Sequence, residues 1–162
     1  MQVITLGNEL LKEKAKKIEK INDEITNIAM VMLKLLKTEK GIGIAGPQIG
    51  FMKRIFVVHI EGDEERVFIN PSILETSHST VKYEEGCLSV PGIYANVIRS
   101  ESIKIQAWNL KGKPFTLEAG GLLARVIQHE YDHLEGVLFL DHVPEKKREK
   151  LVAKFEKTAK PV

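Results

Sequence analysis

Residues His129-Glu130-Tyr131-Asp132-His133 set two imidazoles four positions apart with a carboxylate between them. Residues four apart on an α-helix lie one turn above each other on the same face. His129 and His133 can therefore grip one metal ion, with Glu130 beside it to take a proton from water. Leu122, Leu123, Val126, Ile127 and Leu134 recur at helical intervals between Gly120-Gly121 and Gly136, which predicts a helix with one buried face. A catalytic metal keeps three protein ligands and one open position. Such a helix obliges the rest of the chain to bring a third ligand and a cleft to its polar side.

Several residues compete to be that ligand. A metzincin-type continuation needs a histidine where this chain has Phe139. Glu149 and Glu156 lie among lysines on what reads as an exposed face, and His142 falls beyond the expected helix end. His59 and His78 sit in strand-like segments with no motif around them. Cys87 is the remaining option, the only cysteine, in the irregular setting Glu84-Glu85-Gly86-Cys87-Leu88-Ser89-Val90-Pro91-Gly92. A lone cysteine is usually an inert small hydrophobe, whereas two imidazoles and a thiolate suit zinc or iron(II).

The surrounding pattern predicts an α+β fold. Helices are expected over 8–17, capped by Asn8, and over 23–38, capped by Asn22 or Asp23. The Gly- and Pro-rich stretch 41–50 reads as irregular. Strands are expected over 54–60 and 65–69, with a break at Asn70-Pro71, then one strand or a pair over 72–83. Two more, 101–108 and 114–118, flank a turn at 109–112. The metal-binding helix follows, then an apolar stretch 137–140 and a charged helix over 145–158. The expected architecture is mainly antiparallel sheets around a central metal-binding helix, with N-terminal helices and a C-terminal helix, in one domain spanning 1–162.

Charge and composition narrow the partners. No apolar run approaches the roughly 18 residues of a membrane span, and the N-terminus lacks the regions of a signal peptide. With one cysteine and no internal disulfide, a reducing cytoplasm is the expected compartment. A net charge of +2 argues against nucleic acid as the main partner, yet residues 144–162 carry seven Lys or Arg against three Glu, a basic arm suited to docking on something acidic.

Three blocks, in order, resemble the signatures of the peptide deformylase family. They are Gly41-Ile42-Gly43-Ile44-Ala45-Gly46-Pro47-Gln48-Ile49-Gly50, Glu84-Glu85-Gly86-Cys87-Leu88-Ser89 and Gln128-His129-Glu130-Tyr131-Asp132-His133-Leu134. The family pattern is roughly G-x-G-L-A-A-x-Q, E-G-C-L-S and Q-H-E-x-D-H-L. The likeness continues through Ile69-Asn70-Pro71, Gly112-Lys113-Pro114 and Gly136-Val137-Leu138-Phe139, and covers essentially the whole chain. Ile44 stands where the family usually has Leu. Gly46 stands where it usually has Ala, a change expected to loosen the loop.

The resemblance implies a hydrolase that removes the N-formyl group from the N-terminal formyl-methionine of new proteins, releasing formate. It implies one divalent ion per chain, natively iron(II), with zinc, nickel or cobalt as substitutes, held by Cys87, His129 and His133. Glu130 would move the proton, and the Gln48 side chain and the Leu88 backbone N–H would donate to the oxyanion. Gly43, Ile44 and Ala45 would present backbone groups to an extended peptide. Tyr83, Glu85, Gly86, Leu122, Arg125 and Val126 would line the methionine pocket. Arg99 would pair with Glu85, either at the pocket rim or as a plain surface pair, and Asp132 would face away from the metal. The partners implied are N-formyl-methionyl nascent chains and, through the basic C-terminal helix, the ribosome, with no membrane and no DNA. The competing reading is an H-E-x-x-H metallopeptidase. A closed structural site is disfavoured because it needs four ligands.

Overall fold

Asn22 starts the first long helix, α1 (Asp23–Glu39), by accepting a hydrogen bond from the Ile25 amide at 3.3 Å, and Lys40 ends it in left-handed backbone. The computed structural model describes residues 2–159. Beyond α1 come β1 (Gly43–Ala45), a 3-10 turn (Gly46–Ile49), β2 (Ile55–Val58), β3 (Arg66–Thr76), β4 (Thr80–Cys87) and β5 (Val90–Ser100). Strands β6 (Ser102–Trp108) and β7 (Pro114–Gly120) lead into α2 (Gly121–Leu134), a second 3-10 turn (Phe139–His142) and α3 (Glu145–Ala159).

The strands form two hydrogen-bonded units, a five-stranded sheet in the order β1-β2-β3-β6-β7 and the two-stranded β4-β5, antiparallel throughout. Alternation along β2 explains the layering. Phe56 and Val58 face a core shared with Ala124, Ile127 and Leu134 of α2, while Ile55 and Val57 face Ala29, Met32 and Leu36 of α1. The sheet is thus covered by a helix on each side. A third apolar cluster joins Ile93, Ala95 and Val97 of β5 to Phe139, Leu140 and Phe155. The expected α+β architecture is present. Among the described residues no helix is long and apolar enough to cross a membrane.

Three local expectations fail. Instead of a helix over 8–17, only Glu9–Lys12 forms a short 3-10 turn capped by Asn8. Leu11, Ala15 and Ile18 keep helical spacing and are buried, but the backbone is claimed elsewhere. The Ala15 amide donates to Leu134 O at 2.9 Å and the Lys16 amide to Met52 O at 3.0 Å. Those tertiary bonds outweigh local propensity. Asn70-Pro71 does not break the sheet either. Asn70 takes a left-handed conformation (φ 49°), the register shifts between Ile69 and Ser72, and β3 continues as a bulged strand. The Asn70 carboxamide bonds both the N–H and the C=O of Ile18 at 2.9 Å, tying the N-terminal segment to the bulge. Finally, 41–50 is not wholly irregular, because Gly43–Ala45 pairs with Phe56–Val58 as the edge strand β1.

Candidate metal centre

Helix α2 brings His129 and His133 to one face, and Cys87, at the end of β4, meets them there. Each offers one ligand atom, and these atoms all lie within 4.8 Å of one another. Cys87 Sγ is 3.4 Å from His133 Nε2. Bonds of about 2.3 Å to sulfur and 2.0–2.1 Å to nitrogen, arranged tetrahedrally, place such a pair roughly 3.5 Å apart. The donor set therefore fits a divalent ion of zinc or iron type without rearrangement. His59, His78, Glu149 and Glu156 take no part in this cluster.

Among the described residues, two buried side-chain polar atoms here have no hydrogen-bond partner, Glu130 Oε1 and His133 Nδ1. An orphaned carboxylate oxygen in a buried pocket points to a donor supplied by what binds there. Burial pushes Glu130 up to about 7, against the pull of His129 and Arg99. Burial, with the neighbouring His129 and Arg99 adding to it, likewise holds His133 well below its usual range. Burial also opposes protonation of His129, but hydrogen bonds to Cys87 and Glu85 outweigh it and raise the group well above its usual range.

The second nitrogen of His129 has a defined partner. Nδ1 lies 2.9 Å from Glu85 Oε1, which leaves Nε2 to face the cluster. Glu85 is itself gripped by Arg99 through Nε at 2.6 Å and Nη2 at 3.0 Å, and by Arg125 Nη1 at 2.5 Å. The Arg99–Glu85 pair is buried, so the surface-pair alternative is overturned. Arg125 also donates to Val97 O and Val81 O, and it lines the pocket beside Tyr83. Asp132 turns away from the cluster and accepts from Arg99 Nη1 at 2.9 Å.

A cavity of about 820 Å³ opens beside the cluster. Tyr83, Glu85, Gly86, Cys87, Leu88, Leu122, Arg125, Val126, His129, Glu130 and Gly43 line it. Ile44 and Ala45 are fully buried and face the cores on either side of β1. Gln48 lies just behind the cavity wall. Its Oε1 accepts from the Ala45 amide at 2.9 Å, and its Nε2 points to Ser89 Oγ at 3.0 Å and Cys87 Sγ at 3.5 Å. The loop carrying Gln48 is not loosened by Gly46. A Cβ at that position would stand 2.5 Å from Phe51 O and 2.8 Å from Lys53 O, so the glycine answers a lack of room.

Sequence reasoning assigned no role to several contributors, Ser89 and Tyr94 among them. Ser89 lies inside the second signature block, but nothing local tells that its hydroxyl meets Gln48. Tyr94 lines the cavity from β5, a strand whose alternation is masked because the outward positions carry Tyr94 and Ile98 while Arg99 points in.

The sequence profile described as polypeptide deformylase matches residues 1–149. The peptide deformylase of Borreliella burgdorferi is 45% identical over 157 residues, covering 96% of this chain and 94% of that protein. Peptide deformylase 1 of Clostridium perfringens is 50% identical over 136 residues, covering 83% and 92%. Among solved structures, a peptide deformylase from Synechococcus elongatus in complex with actinonin is 37% identical with a TM-score of 0.92, covering 100% of this chain and 89% of that one. The peptide deformylase of Ehrlichia chaffeensis is 32% identical with a TM-score of 0.93, covering 100% and 98%. A profile over nearly the full length, relatives matched almost end to end and a shared backbone lead to one conclusion: the chain belongs to the polypeptide deformylase family.

Proposed function

We propose that Cys87, His129 and His133 hold one divalent ion and that Glu130 moves the proton in the family's reaction. That reaction is hydrolysis of the N-formyl group from the N-terminal formyl-methionine of newly made proteins, with release of formate. The observation that carries this reading is the Cys87–His129–His133 cluster with the unpartnered Glu130 Oε1 beside it. The ion, when bound, acidifies water and draws charge from the carbonyl oxygen.

The chain's own groups do the rest. Glu130, poised near neutrality by burial, takes a proton at Oε1 from the attacking water and returns it to the leaving amine. Glu85 keeps His129 oriented by accepting from Nδ1. Gln48, held by the Ala45 amide and Ser89, keeps Nε2 at the cluster's edge, and with the Leu88 backbone N–H it stabilises the developing oxyanion. Gly43, Ile44 and Ala45 form an edge strand, which suits main-chain pairing with an extended peptide. The wall of Tyr83, Glu85, Gly86, Leu122, Arg125 and Val126 receives the methionine side chain.

Iron(II) is the native ion in this reading, with zinc, nickel and cobalt able to occupy the same donors. Residues 1–162 act as one catalytic unit in the cytoplasm, where nascent chains carry the formyl group. Lys146, Lys147, Arg148, Lys150 and Lys154 of α3 dock on ribosomal RNA, and DNA is not a partner. Lys160 lies outside the described residues. Deleting 145–162 should weaken ribosome binding in a salt-dependent way, and an unchanged affinity in a folded truncation rejects the docking role.

The activity itself is tested with formyl-Met-Ala-Ser and its unformylated counterpart, using protein loaded anaerobically with iron(II). Formate release without backbone cleavage is expected, whereas cleavage of the unformylated peptide would restore the metallopeptidase reading. Glu130→Gln should keep its metal and lose about 10²- to 10⁴-fold in kcat. Full activity in that variant would overturn the proton-transfer role.

A further inference from the structure

His142 lies outside every role assigned above, yet it ends a continuous polar chain that reaches His129. Its Nε2 is 2.9 Å from Asp132 Oδ2, and the same oxygen accepts from Arg99 Nη1 at 2.9 Å. Arg99 in turn forks onto both oxygens of Glu85, whose Oε1 meets His129 Nδ1. A carboxylate only accepts hydrogen bonds, so the His142 ring must carry its proton on Nε2. Two carboxylates already face two guanidiniums in this cluster, so His142 is not needed to balance charge. Its contribution is directional. Asp132 is partly exposed, with a side chain 22% accessible, and His142 fixes which way the oxygen shared with Arg99 points. The same 3-10 turn places Phe139 against the face of the His129 ring, with centroids 5.9 Å apart and planes 25° apart. One short segment thus touches His129 directly from its ring face and indirectly through its Nδ1.

We propose that His142 is a positioning residue of the metal centre, holding His129 in its ligating orientation through Asp132, Arg99 and Glu85. The proposal rests on the assignment of His129 as a ligand. An exposed His–Asp pair with only a structural role would leave metal affinity unmoved. Outer partners of a metal-ligating histidine typically change affinity 10- to 100-fold, so a residue further along the chain should weaken binding by about 3- to 10-fold.

The test is cobalt(II) affinity of the full chain, measured by competition with a chelator. His142→Ala should bind cobalt about 3- to 10-fold more weakly. His142→Gln, which can return an N–H near the position of Nε2, should restore affinity. In an Asp132→Ala background, which removes the shared acceptor, His142→Ala should cause no further loss. Affinity of His142→Ala within twofold of the unsubstituted chain overturns the proposal. So does failure of His142→Gln to rescue, or an undiminished effect in the Asp132→Ala background. His129→Ala separates this failure from that of the underlying assignment: cobalt binding as tight as in the unsubstituted chain would show that His129 is no ligand, and would remove both.

Discussion

Gly43 lies so close to Glu130 that a Cβ on it would stand 2.6 Å from the carboxylate Oε2 and 2.9 Å from Val126 Cγ1. Its backbone is in the edge strand β1, so what the position requires is space, and the missing side chain leaves room for the Glu130 carboxylate.

Gly43→Ala should therefore push Glu130 away from its working position while leaving Cys87, His129 and His133 untouched. A displacement of about 1 Å at a reacting group can cost on the order of 100-fold. The expected result is a 10- to 100-fold fall in kcat, by the same reasoning, with metal content at the level of the unsubstituted protein. Formate release and metal analysis on one preparation check it.

Gly46→Ala would restore the residue usual in the family, and it should nevertheless destabilise this chain. The added carbon meets two backbone oxygens, of Phe51 and Lys53, which cannot swing aside as a side-chain tip would. Overpacking of this kind costs about 1–3 kcal/mol. Urea unfolding of the two proteins gives the difference, and equal midpoints would mean that the loop yields.

Glu85 predicts an acid limit. Burial pushes its carboxyl up, but hydrogen bonds from His129 and Arg99 and their charges prevail, lowering it from 4.5 to about 2. A carboxylate depressed by folding stabilises the native state above its unfolded value, and the contribution is lost as pH falls through the folded value. Chelator-stripped protein should thus lose stability between about pH 4.5 and 2. At neutral pH Glu85→Gln leaves Arg125 buried without its counter-ion and Arg99 with Asp132 alone, at a cost of about 3–5 kcal/mol. The gap in Tm between the two proteins should narrow steadily across that acid range.

How much of this could be read from residues alone varies from place to place. The α2 face was legible because the metal motif, the apolar spacing and the flanking glycines all agree. α1 was legible for the same reason, from Asn22 to the apolar stripe. The N-terminal segment was not, because Ala15 and Lys16 give their amides to Leu134 and Met52, partners far away in sequence. β5 was hidden by an inward Arg99 and an outward Ile98, an inversion that follows from the buried Glu85. Cys87 could be singled out, but only the three signature blocks together tied it to the two histidines. The Asp132–His142 contact, between a helix and the turn that follows it, has no signature of its own.

The division into two separate hydrogen-bonded sheets has a dynamic consequence. No strand pairing links β4-β5 to the five-stranded sheet among the described residues. Cys87 belongs to the smaller unit, whereas α2, with both histidines, packs against the larger. An ion held by all three residues is then a further cross-link between the two units, added to the Glu85–Arg125, Glu85–His129 and Arg99–Asp132 contacts that already join α2 to the hairpin. Sub-global opening of such units is visible in amide hydrogen exchange. Chelation should speed exchange in β4-β5 more than in β2 and β3, so that loss of the ion appears as loosening of one hairpin before the rest of the molecule responds.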